Sequence, residues 1–75
     1  MTTFKNYRFQ NGPLETNLKQ AIKHYYKEYE VLPPRLVVHP KNLDQAKELA
    51  QKLALNGITI EATGGCQLIE LWLEK

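Results

Sequence analysis

Residues 31 to 72 read VLPPRLVVHPKNLDQAKELAQKLALNGITIEATGGCQLIELW. An apolar run rich in β-branched residues, Arg35 to His39, is followed by a pattern of helical period. Two more short apolar runs then follow, joined through Gly64-Gly65. That is the written form of a strand, a crossover helix, a parallel strand and a hairpin return. Leu32-Pro33-Pro34 stops the helical pattern that precedes the first strand, because the residue before a proline is pushed out of the helical region, and Pro40 closes that strand.

Asn42 stands where a helix N-cap belongs. Gln45 occupies the capping-box position and Asp44 the first turn. Leu43, Ala46, Leu49, Ala50 and Leu53 share one face of the helix that follows. Asn56-Gly57 is expected to end it in left-handed conformation, with Ile58 closing the cap. Ile58 to Ala62 alternates as a strand, and so does Gln67 to Leu73.

Upstream, Pro13 suits a first helical position. Leu14, Leu18, Ala21, Ile22, Tyr25 and Tyr29 follow at spacings of three and four. The spacing predicts an amphipathic helix from Leu14 to Tyr29. Phe4 to Phe9 is aromatic but alternates weakly, so residues 1–12 read either as an edge strand or as an ordered arm.

The expected fold is therefore a two-layer α/β (α+β) sandwich in the order (β)αβαββ, one domain spanning residues 1–75. Its mixed sheet has three or four strands, with two helices on one face. Period-two alternation puts Leu36, Val38, Ile58, Ile60, Ile69, Leu71 and Leu73 under the helices. It leaves Arg35, Val37, His39, Thr59, Glu61, Leu68, Glu70 and Trp72 on the other side.

Seventy-five residues bury only about 60% of the unfolded chain's surface, so self-association is a natural source of extra stability. One cysteine allows no internal disulfide. No apolar run approaches the roughly 18 residues of a membrane span, and the N-terminus lacks a signal-peptide core. The expected setting is the cytoplasm. The net charge is +2; residues 1–41 hold seven basic and three acidic residues, so +4, and residues 42–75 three and five, so −2. The basic first half is a candidate nucleic-acid face, set against ordinary solvated surface.

Four constellations are candidates for function. Trp72, Leu68, Val37 and Arg35 form a contact patch for a protein partner or a second copy, unless the N-terminal aromatics fold over it. His39, Lys41 and Asn42, with Gly64, Gly65 and Cys66, gather where two parallel strands end, an anion-binding geometry if the glycines do more than turn the chain. Cys66 beside His39 would be a thiol nucleophile if the imidazole lowered its pKa. Lys19, Lys23 and Lys27 could follow a phosphate backbone, set against a solvated helix face.

No phosphate loop, dinucleotide fingerprint or metal-ligand spacing occurs, so no cofactor, metal or catalytic residue is assigned. The leading expectation is a non-catalytic interaction module. The alternatives are a nucleic-acid-associated domain and, behind it, a small anion-binding or thiol enzyme.

Overall fold

A computed structural model of the chain describes residues 3–10, 12–55 and 57–74. In chain order the elements are β1 (Phe4–Arg8), α1 (Leu14–Tyr29), β2 (Arg35–Val38), a single 3-10 turn (Pro40–Asn42), α2 (Leu43–Lys52), β3 (Thr59–Ala62) and β4 (Glu70–Glu74). The four strands form one mixed sheet in the order β1-β4-β2-β3. β2 and β3 run parallel, while β4 is antiparallel to both β1 and β2. Both helices pack on one face, so the architecture is the small two-layer sandwich that the alternation predicts.

The core lies between the layers. Leu18, Ala21 and Tyr25 of α1 and Ala46 and Leu49 of α2 pack against Leu36, Val38, Leu71 and Leu73 of the sheet. Tyr7, Phe9, Ile58 and Ile60 close the margins of that cluster. Tyr25 is buried almost to its hydroxyl, which donates to the Glu74 main-chain carbonyl at 2.7 Å and so ties α1 to β4. No helix is long and apolar enough to cross a membrane among the described residues.

Phe4 to Arg8 is a true edge strand rather than an arm, registered against β4 from Phe4↔Glu74 to Arg8↔Glu70. The largest departure from expectation is at the other end of the chain. β4 does not return as a hairpin beside β3; it crosses the end of β2 and inserts between β2 and β1. Gly64 and Gly65 therefore make a crossover, and the positive-φ glycines are Gly12 and Gly57 instead. Long-range pairing with the N-terminal strand decides this order, and local alternation carries no trace of it.

The expected caps also shift. Pro13 is the extended N-cap of α1 (φ −64°, ψ 146°) rather than its first helical residue. Asn42 makes no side-chain cap bond; a 3-10 turn precedes α2, and the His39 imidazole Nδ1 accepts from the Lys41 N–H at 3.0 Å. At its far end α2 stops at Lys52. Ala54 takes the left-handed conformation there (φ 56°), and the Leu55 N–H donates to the Ala50 carbonyl at 2.8 Å. This is a Schellman closure built on alanine. The Asn56 end expected from the sequence lies outside the described residues, although Gly57 does hold a positive φ of 92°.

Candidate functional site

Period-two geometry across four registered strands builds the face opposite the helices. Asn6 lies beside Trp72, Trp72 beside Val37, and Val37 beside Glu61, in one row across the sheet. The Phe4 and Trp72 rings are tilted with centroids 6.1 Å apart. The Arg35 guanidinium stands 5.8 Å from the Phe4 ring centroid. It also reaches Glu61 at 3.5 Å and Glu74 at 3.1 Å, so one arginine links three strands.

Of the expected contact patch, the structure brings together Trp72, Val37 and Arg35 and leaves Leu68 out. Val37 is itself buried at 5% exposure, so it supports the patch from within the sheet rather than offering contact surface. Glu70 N–H donates to the Gln67 carbonyl at 3.0 Å, closing a turn that holds Leu68 and Ile69 ahead of β4. Leu68 is consequently about half exposed and lines a shallow hollow with Pro13, Leu14, Asn17 and Asn42 near the helix starts. Ile69, expected in the core, is exposed for the same reason. Of the N-terminal aromatics set over the patch as the alternative, only Phe4 joins Trp72, whereas Tyr7 and Phe9 turn to the helix side. The signal was the odd–even parity of Phe4, Asn6 and Arg8 within β1.

Glu70 shows how the margin of this face is made. It is buried to 7% exposure, with its carboxylate accepting from the Gln67 N–H at 3.0 Å and lying 3.6 Å from the Arg8 guanidinium. The Gln67 N–H, with a smaller contribution from Arg8, outweighs desolvation and holds the Glu70 carboxyl below its ordinary range. Two arginines, Arg8 and Arg35, are thus set against three carboxylates, Glu61, Glu70 and Glu74, around an aromatic centre.

The strand-end loop has different chemistry from the one its composition suggested. Cys66 is fully buried, with Sγ 3.4 Å from the Glu70 carbonyl and 3.7 Å from that of Val37. Burial, with a smaller contribution from Glu70, pushes its thiol up to about 11. A neutral thiol surrounded by carbonyls is a packing group and a weak donor, not a nucleophile. His39 is engaged with the Lys41 N–H, and the Asn42 amide donates to the Leu68 carbonyl at 3.1 Å. Three of the six expected anion ligands are therefore occupied in bracing the loop. Gly64 remains open around its Cα, while a Cβ on Gly65 would stand 3.7 Å from the Trp72 ring.

On α1, Lys19 pairs with Glu15 at 3.1 Å, and Glu15 also meets Lys52 of α2 at 3.2 Å. Lys23 and Lys27 line a hollow with Gln20 and His24 on the solvent side of the helix. Neither lysine has an acidic partner within ion-pair distance among the described residues. No cluster of three or more His, Cys, Asp or Glu side chains suited to a metal occurs among the described residues. Comparison with known family models, curated proteins and solved structures finds no match.

Proposed function

We propose that this chain is a non-catalytic interaction domain that binds a protein partner through the sheet face opposite its helices. The observation that carries the reading is the Phe4–Trp72 pair with Arg35 set over it. Trp and Arg are the residue types that dominate binding hot spots, and here they stand on rigid strands rather than on loops. Each carboxylate around the pair has an arginine within ion-pair distance, so a partner meets little uncompensated charge. A polyanion is disfavoured at this face, because the carboxylates outnumber the two arginines. A reducing, cytoplasmic setting goes with this reading, since Cys66 is a free thiol.

The test compares wild type with Trp72→Ala in capture of partners from extract, with thermal melts run on both. Loss of capture with the melt retained supports the reading. Equal capture by both proteins overturns it, and a lost melt would make Trp72 a core residue instead.

Lys23 and Lys27 motivate a second reading, a nucleic-acid-associated domain using the solvent side of α1. Its test is titration with a short mixed-sequence oligonucleotide at two salt concentrations. Phosphate contacts predict an affinity that falls steeply with salt and weakens in Lys23→Glu. No binding at low salt removes this second reading.

A further inference from the structure

β3 forms one border of the sheet, with β2 on its only paired side among the described residues. The ladder shows which of its main-chain groups are spent. Thr59 N–H donates to the Pro34 carbonyl at 3.0 Å, and Thr63 N–H to the Val38 carbonyl at 3.1 Å. In a parallel pair the inward-facing residues alternate, so Thr59, Glu61 and Thr63 bond to β2. Ile60 and Ala62 turn their N–H and C=O groups outward. Beside this free edge runs a groove between α2 and β3, lined chiefly by Ala50, Leu55, Ile58 and Ile60, with Lys47 and Gln51 at its rim. A bare edge next to an apolar groove is the arrangement that accepts an added strand.

Edges are normally defended by charge, proline or covering structure. β1 at the opposite border has such a defence. It carries Lys5 and Arg8, and Lys5 lies on the helix side in an ion pair with Glu28. β3 carries neither cation nor proline, and its single charge, Glu61, is held by Arg35 across the open face.

We propose that β3 pairs with β3 of a second copy across a two-fold axis, giving one continuous eight-stranded sheet. The sequence of the strand selects the register. With the axis at Ile60, each Ile60 exchanges both main-chain bonds with Ile60 of the partner subunit, and Ala62 pairs with Ile58 of the partner subunit. Those are the outward-facing groups. Thr59 then falls opposite Glu61 of the partner subunit on the open face, a pair without repulsion. An axis at Glu61 would instead oppose like charges, which is destabilising. Ile60 meets its own copy and Ile58 meets Ala62 of the partner subunit on the helix side, beside the groove, supplying the apolar area that four residues of backbone alone lack. A core of this size gains most from such burial. Because the axis stands perpendicular to the sheet, both Trp72 faces point the same way, and the dimer would present that surface twice. The pairing does not depend on what Trp72 binds.

The experiment is light scattering of the full chain up to about 1 mM, with Ala62→Pro in parallel. The proline removes an outward N–H and leaves the β2 ladder intact, as prolines at sheet edges do. Wild type is expected to approach twice its 8.7 kDa mass, and Ala62→Pro to stay at that mass with an unchanged far-UV spectrum. Register is read by disulfide trapping with two exposed variants, Thr59→Cys and Glu61→Cys. An equimolar mixture should give a crosslinked heterodimer under mild oxidation, while either variant alone should not. A wild-type chain that remains monomeric throughout overturns the proposal. So does a dimer that survives Ala62→Pro, or crosslinking of equal yield in the single variants. A Trp72→Ala protein that loses its partner yet still doubles in mass would separate this proposal from the reading of the open face.

Discussion

Cys66 Sγ lies 3.4 Å from the main-chain carbonyl of Glu70, four residues further on, and this contact seats the crossover loop in the end of the sheet. Its thiol is pushed from 9.0 to about 11, chiefly by desolvation. At neutral pH the thiolate fraction should then be roughly 100-fold below that of a free thiol, and alkylation should be slower by at least that factor. Iodoacetamide labelling of native protein, followed by mass spectrometry, reads this directly. Reaction at the rate of a model thiol would show that the loop opens freely.

The same shift has a consequence in alkali. A raised folded pKa contributes stability that is complete below the unfolded value of 9.0. That contribution disappears as pH climbs toward about 11. Tyr7 and Tyr25, also raised by burial, add to the alkaline loss. Comparison with Cys66→Ala isolates the thiol: the stability gap between wild type and variant should narrow between those two pH values. A constant gap would mean that Cys66 contributes by packing alone.

Glu70 works in the opposite sense. Its folded pKa lies below the ordinary carboxyl value of 4.5, so its contribution is present above that pH and fades as acid protonates the folded state. Thermal melts on the acid side should show wild type losing more stability than Glu70→Gln, so that the two curves converge. Curves that stay parallel would remove the Gln67 and Arg8 contacts as a source of acid sensitivity. Glu15, lowered by Lys19 and Lys52, contributes equally to both proteins and cancels.

Helix α2 ends on a residue that its conformation does not suit. Ala54 holds φ 56° to complete the Schellman closure, and a Cβ there costs on the order of 1–2 kcal/mol that glycine avoids. Ala54→Gly gives part of that back through the greater freedom of its unfolded chain. The expected net gain is about 0.5–1 kcal/mol, read as a higher urea midpoint with an unchanged slope. A lower midpoint would mean that the Ala54 methyl makes a packing contact worth more than the backbone strain.

These results also mark where the sequence was informative. The α1 stripe from Leu14 to Tyr29, the β2–α2–β3 crossover and the burial of Leu36, Val38, Leu71 and Leu73 all follow from short-range periodicity. That rule also placed Trp72, Val37 and Arg35 on one face. What it could not carry is pairing between distant segments. β4 leaves β3 for β1 because Tyr7 and Leu73 together complete the core, a decision made by residues far apart in the chain. Once β4 crosses over, Cys66 must be buried at the end of β2, and Leu68 must lie in the turn ahead of β4. That one crossover separates Leu68 from the Trp72 patch and leaves Cys66 as a packing group. The Asn42 cap failed differently: the 3-10 turn before α2 holds Asn42 in right-handed helical backbone (φ −98°, ψ −2°) rather than the extended conformation of a cap.

Arg35 is the residue on which the open face depends most for its charge balance. It contacts Glu61 on β3 and Glu74 on β4, and stands over Phe4 on β1. Its side chain is 37% exposed, so solvent screens both ion pairs and their joint contribution should be about 1 kcal/mol or less. The stem and the ring contact are less sensitive to salt. Urea denaturation of wild type and Arg35→Ala at low and high ionic strength separates the two effects. The expected outcome is a stability gap that shrinks with added salt without vanishing, the remainder being the packing of Arg35 on Phe4. A gap that closes completely would make the arginine a purely electrostatic tie, whereas one indifferent to salt would make Glu61 and Glu74 incidental neighbours. In either case Arg35→Ala leaves Glu61 and Glu74 without their cation beside Trp72, so a basic partner should gain affinity for this face and an acidic one should lose it.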